Sequence, residues 1–156
     1  MQNSTSRPRH PALREGLVFG VITGIIGIAY TLLLNYVVSG MVGNILAVLF
    51  FLVLIALNLL AGVRASQWTG RVGTGAKAGV ITQLIASLLG VLLTLTKIFL
   101  PGTLLHQMFL NTTVWPVLQF ITLSGIGFML FLLLGAVIGA MGGLMGRNRA
   151  RLPLPV

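Results

Sequence analysis

The stretch Gly62-Val63-Arg64-Ala65-Ser66-Gln67-Trp68-Thr69-Gly70-Arg71-Val72-Gly73-Thr74-Gly75-Ala76-Lys77 divides the chain into two apolar halves and carries three of its ten basic residues. Its glycines, threonines and cations read as a polar turn. The side of a bilayer on which it lies sets the side of every other segment. Upstream, apolar runs extend from about Leu17 to Val38 and from about Val42 to Val63. Downstream, they extend from about Ala78 to Leu100 and from about Val117 to Met145. Each exceeds the roughly 18 residues that mark a membrane-crossing helix.

Composition agrees. The 156 residues are 56% hydrophobic and 7% charged, against about 25% charged in soluble chains, and the mean hydropathy is +1.04. The fold class is all-α: a polytopic membrane protein built as a four-transmembrane-helix bundle. A basic tail, residues 1–16, precedes the membrane domain, 17–146, and a second basic tail, 147–156, follows it. The first tail is expected to be mobile. The first apolar run is too long for a signal-peptide core and has no small-residue cleavage site in reach, so it reads as an uncleaved targeting helix.

Ten Lys and Arg stand against a single acid, Glu15. In a soluble chain that balance points to nucleic acid. Here the cations sit beside apolar runs, so anionic lipid headgroups are the simpler partner, and no nucleic acid is expected. Arg7, Arg9, Arg14, Arg64, Arg71, Lys77, Arg147, Arg149 and Arg151 fall on one side, and only Lys97 on the other. Nine against one predicts cytoplasmic N and C termini and a cytoplasmic central turn. Arg64, Arg71, Lys77, Arg147, Arg149 and Arg151 are the expected headgroup contacts. Trp68 and Trp115 fall at opposite interfaces, with Tyr36 at the outer one.

Gly16-Leu17-Val18-Phe19-Gly20-Val21-Ile22-Thr23 and Gly75-Ala76-Lys77-Ala78-Gly79-Val80-Ile81-Thr82 share the pattern G-x-x-x-G-V-I-T. Both open a span from the same side. They mark either two repeated helical hairpins of like orientation or a chance match of apolar sequence.

In lipid, helices associate through close packing of small residues and interhelical hydrogen bonds. Small or polar stripes at near-heptad spacing therefore mark contact faces. Span one offers Gly20, Gly24 and Gly27; span three Gly79 and Gly90; span four Gly135, Gly139 and Gly142. The glycine faces of spans one and three are expected to cross each other. Span four, whose row continues to Gly146, exceeds the need of one neighbour and is the expected partner contact. Span two has the poorest stripe: Ala47, Phe51, Leu54, Asn58 and Gly62. Asn58 and Gln83 lie at similar depth beside the central turn and are expected to hydrogen-bond, with Thr23 nearby. Such a pair either ties helices together or binds a substrate. Asn35, Thr94 and Gln119 form a second polar layer near the other surface. Between the layers Phe51, Leu54, Phe128 and Phe131 are expected to fill the interior. Residues 103–116 suit a short interfacial helix with Leu104, Leu105, Met108, Phe109 and Thr112 on one face.

No span contains Asp or Glu, and the chain has no cysteine. Proton-coupled carriers need an intramembrane ionisable relay, and thiolate metal sites and thiol catalysis are excluded. His10 and His106 are isolated, so no metal or cofactor is expected. Serines and threonines lack an activating base, so no enzyme is expected. The central stretch resembles a phosphate loop only in glycine content, because Lys77 is followed by Ala78. It reads instead as a flexible turn gripping lipid phosphates. Asn111-Thr112-Thr113 fits the glycosylation acceptor pattern, a frequent coincidence.

In layout the chain resembles uncharacterised four-helix bacterial inner-membrane proteins of the domain-of-unknown-function type. They share the Gly-x-x-x-Gly opening of spans one and three and the Gly/Arg turn between the halves. The resemblance implies a bacterial inner membrane and transfers no site residue. The expected role is a non-catalytic accessory or assembly subunit, partnered by another membrane protein or by itself through its glycine faces. The alternative is a small transporter or channel formed by an oligomer, with Asn58 and Gln83 lining the path.

Overall fold

A computed structural model describes residues 10–36, 40–99 and 114–150, with side chains for 10–34, 40–96 and 122–148. The chain forms α1 (Pro11–Tyr36), α2 (Met41–Thr69), α3 (Val72–Phe99) and α4 (Val114–Ala150). All four are long and apolar enough to cross a membrane. Leu-, Ile- and Val-rich runs become helices in lipid because only a helix bonds each backbone N–H and C=O within its own segment. Residues 114–116 of the expected interfacial helix open α4, whereas its residues 103–113 and the terminal residues 1–9 and 151–156 lie outside the described residues. So do the side chains of Asn35, Tyr36, Lys97, Trp115, Gln119, Arg149 and Arg151.

The central stretch is not a long flexible turn. Residues 62–69 complete α2, residues 72–77 open α3, and only Gly70 and Arg71 lie between. Gly70 adopts φ 68° and ψ 9°, and its N–H donates to the Ser66 carbonyl at 2.7 Å. That left-handed cap ends a helix at no steric cost only with glycine. The Arg71 N–H donates to Thr69 Oγ1 at 3.3 Å, and the Thr69 and Thr74 hydroxyls bond at 2.9 Å. The remaining glycines of the stretch did not break the helix. Gly62 and Gly75 are buried, where closeness of packing outweighs their poor helix propensity.

Helix pairs in contact are α1–α3, α3–α4, α2–α4, α2–α3 and α1–α2. The middle of the bundle is therefore α2 with α3, and α1 and α4 flank them. Gly16, Gly20 and Gly24 of α1 meet Ile81, Ile85 and Leu89 of α3 in the same order, so these helices run parallel. Gly62 meets Gly139, and Ser66 meets Gly146, so α2 and α4 are parallel too. Gly75, Gly79 and Gln83 meet Gly143, Gly139 and Gly135, so α3 and α4 are antiparallel. The two hairpins thus agree in direction and differ in packing.

Two expectations about glycine faces change. The glycine faces of α1 and α3 do not cross. Those of α1 receive aliphatic side chains of α3, whereas Gly75 and Gly79 of α3 turn to α4. The row on α4 is also not spare. Gly135, Gly139 and Gly143 press on α3, and Gly142 and Gly146 press on α2. A Cβ at Gly139 would stand 2.6 Å from the Gly75 carbonyl oxygen and 2.9 Å from Gly79 Cα, and one at Gly62 would overlap the Gly139 carbonyl. One α4 segment is wedged between two neighbours, which uses both edges of its row. The small buried side chains Ala61, Ala65 and Ala78 join Phe19 in the adjoining core.

Gly139→Ala should lower the unfolding free energy by about 2 kcal/mol or more, since the added methyl meets backbone that cannot yield. Gly125, with nothing within 4 Å of its would-be Cβ, supplies the contrast. Gly125→Ala should be neutral or stabilise by up to about 1 kcal/mol through helix propensity. Unfolding titrations in mixed micelles measure both, and equal effects would contradict this packing.

Candidate functional site: a polar-floored cleft in the membrane

Directly beyond the glycine contacts lies a layer of buried polar side chains. Asn58 is 0% exposed, Thr82 0%, Thr23 3% and Gln83 4%. Asn58 and Gln83 are brought together from neighbouring antiparallel helices. Asn58 Nδ2 donates to Gln83 Oε1 at 3.4 Å and to the Leu54 carbonyl of its own helix at 2.9 Å. Thr23 does not join them, because its hydroxyl donates to the Phe19 carbonyl at 2.7 Å, four residues back. Asn58 Oδ1 and Thr82 Oγ1 have no hydrogen-bond partner. Gln83 Nε2 donates to no described group. Buried polar atoms left unpaired cost about 1–3 kcal/mol each, so this layer holds unused hydrogen-bonding capacity.

Above it the helices part. From Gly135 toward the start of α4, the residues facing α3 are no longer a glycine row. They include Phe131 and Phe128, and the backbones cannot stay close. A cleft of about 1070 Å³ opens between the helices. Its floor is Thr23, Leu54 and Gln83, and its walls include Tyr30, Phe50, Ser87, Thr94, Phe128 and Phe131. Gly90 and Gly127 also line it, and neither has an atom within 4 Å of its would-be Cβ. Gly90 is therefore a cleft residue rather than a helix contact, while Gly27 lies within reach of the Phe50 ring. Tyr30 and Phe50 stack in parallel with centroids 4.4 Å apart and form a flat wall.

The interior is therefore not filled by the four expected side chains. Leu54 is buried and Phe128 and Phe131 line the cleft, but Phe51 is 44% exposed toward the surroundings. Phe50 takes its place. Phe51, seven residues before Asn58, shares the face of Asn58 and Gly62, but that face is open at its level, whereas Phe50 turns toward α1 and stacks on Tyr30. Thr94, expected in a second polar layer, donates its hydroxyl to the Gly90 carbonyl at 3.0 Å. It reaches no other helix through that bond.

The basic end has its own geometry. Arg64 lies over the Phe19 ring at 5.6 Å, an attractive cation–π distance. Arg71 and Lys77 are exposed, and Arg147 is half-buried with an unpartnered Nε. Three features escaped the sequence reading. The burial of Glu15 and of Thr82 left no sign in composition, although Thr82 recurs with Thr23 in the repeated motif. Gly16, Gly75 and Gly143 were signalled by four-residue spacing from Gly20, Gly79 and Gly139.

Chemically the site can donate and accept hydrogen bonds at one end of an apolar space. Gln83→Leu should destabilise the bundle by about 1–2 kcal/mol, because Asn58 loses its interhelical acceptor in a buried setting. A double-mutant cycle with Asn58→Leu should return a coupling of about 0.6–1.7 kcal/mol. Strict additivity in micelle unfolding would show that the two amides do not interact. Comparison of the chain with protein-family models, curated proteins and solved structures finds no match.

Proposed function

We propose that this protein is a non-catalytic membrane subunit that holds a neutral lipophilic molecule, with one hydrogen-bond acceptor at its head, in the cleft above Asn58 and Gln83. The carrying observation is Gln83. Its side chain is 4% exposed, lines the cleft, and keeps a free amide donor beside an otherwise apolar volume. Among the described residues no charged side chain lines that volume, so a charged head would be desolvated without compensation from them. Its size is at the upper end of small-molecule sites, which run to about 1,000 Å³. A prenylated quinone or a monoacylglycerol has the required shape and chemistry.

The accessory role fits an apolar binder with no acid–base pair of its own: the molecule it holds is passed to, or shields, a larger membrane assembly or a second copy of the chain. Nine cations at one end favour a cytoplasmic location for that end and for both termini, in contact with anionic lipids. The layout resemblance supports a bacterial inner membrane as its location. The rival reading, an oligomeric transporter or channel with Asn58 and Gln83 on the path, meets an obstacle below the amides. There the close contacts among Gly62, Gly75, Gly79 and Gly139 leave no room for a solute.

Native mass spectrometry of the detergent-released protein tests the reading with a decyl benzoquinone as probe. Wild-type protein should retain it, and Gln83→Leu should weaken retention about tenfold, the value of roughly one net hydrogen bond of 1.4 kcal/mol. Filling the cleft with Gly90→Leu should abolish it. Equal retention by all three proteins would refute the proposal. Solute flux in proteoliposomes that disappears with Asn58→Leu would favour the rival.

A further inference from the structure

The chain's single carboxylate, Glu15, lies at the basic end of the bundle and is 8% exposed. Among the described residues none pairs with it by hydrogen bond or salt bridge. Its carboxylate oxygens are not among the buried unpartnered atoms, so the otherwise covered side chain keeps an opening to the surface. That opening is a shallow cleft of about 430 Å³ between α1 and α2, shared with Arg14, Arg64, Gln67 and Trp68. The site therefore presents one anion and two cations side by side. Arg64 is held in place by its contact with the buried Phe19 ring, 5.6 Å below the guanidinium.

Leu60, Arg64 and Trp68 follow one another at four-residue intervals along α2, and all three are exposed. That face offers an apolar track leading up to a guanidinium and then to an indole, the order of chain, phosphate and headgroup at a membrane interface. We propose that this cleft binds the headgroup of a bilayer aminophospholipid, a phosphodiester ending in a primary ammonium. The Glu15 carboxylate receives the ammonium, and Arg64 with Arg14 receives the phosphate. A purely anionic headgroup would satisfy the guanidiniums and leave Glu15 unpaired beside a second negative charge. A quaternary ammonium would bring positive charge without an N–H to donate. The zwitterion with a primary amine gives each of the three charged side chains an opposite partner, the two guanidiniums sharing one phosphate. This site is separate from the apolar cleft, which lies beyond Gln83.

The test uses the full-length protein in mild detergent, offered equimolar phosphatidylethanolamine, phosphatidylcholine and phosphatidylglycerol of identical acyl chains, with retention read by native mass spectrometry. Wild-type protein should hold phosphatidylethanolamine over phosphatidylcholine by roughly fivefold, as one charge-assisted hydrogen bond at an interface would give. Successive N-methylation of the ethanolamine should erode that preference, a comparison that needs no altered protein. Glu15→Gln should abolish the preference while leaving phosphatidylglycerol retention equal or higher and the helical circular dichroism unchanged. Equal retention of phosphatidylethanolamine and phosphatidylcholine by wild-type protein would overturn the proposal, and so would an undiminished preference in Glu15→Gln.

Discussion

Backbone meets backbone where α4 is wedged between α2 and α3, and the rest of the bundle follows from that contact. In hydrocarbon, burying one more leucine brings helices no closer, because lipid tails are as apolar as leucine. Stability comes from dispersion at short range and from weak Cα–H···O contacts, both of which require that side chains be absent between the axes. Gly139 satisfies this toward two helices at once, with Gly62 on one side and Gly75 and Gly79 on the other. The neighbouring positions Ala61, Ala65 and Ala78 are as small as a chiral residue can be, and all are fully buried.

That contact also positions the polar layer. Asn58 is one helical turn from Gly62, and Gln83 one turn from Gly79, so closing the glycines carries the two amides to 3.4 Å. Past them the small residues give way to phenylalanines on α4, the axes separate, and a cleft appears whose deepest point is an incompletely bonded amide. A tight, dry end and an open, apolar end thus arise from one change in side-chain size along a single helix. The seal below the amides favours holding a molecule over conducting one.

Much of this was legible in the chain, and what was not has physical causes. Run length and charge content determine the four helices locally, and four-residue spacing marks Gly135 and Gly139 as contact positions. Matching depth brought Asn58 and Gln83 into one layer. Which neighbour a glycine row faces is not a local property. The same G-x-x-x-G-V-I-T pattern meets isoleucines of α3 when carried by α1, and glycines of α4 when carried by α3. Helix continuity through Arg64 and Gly75 was hidden because glycine signals both a turn and a close approach, and spacing alone does not separate the two. The inward position of Phe50 rather than Phe51 required knowing that α1 brings Tyr30 against Phe50, and the cleft required knowing where two helices diverge. The burial of Glu15 depends on α1 leaning against α2 and had no sequence signature.

The most direct measurement is paramagnetic relaxation by dissolved oxygen, read on the backbone amides of α4 in lipid nanodiscs, which leaves the sequence untouched. Oxygen concentrates in hydrocarbon, so relaxation reports contact with lipid. The wedge requires weak relaxation at Gly135, Gly139, Gly142, Gly143 and Gly146 alternating with strong relaxation at Leu133, Val137, Met141 and Leu144. Relaxation as strong along the glycine row as along the leucine face would contradict it.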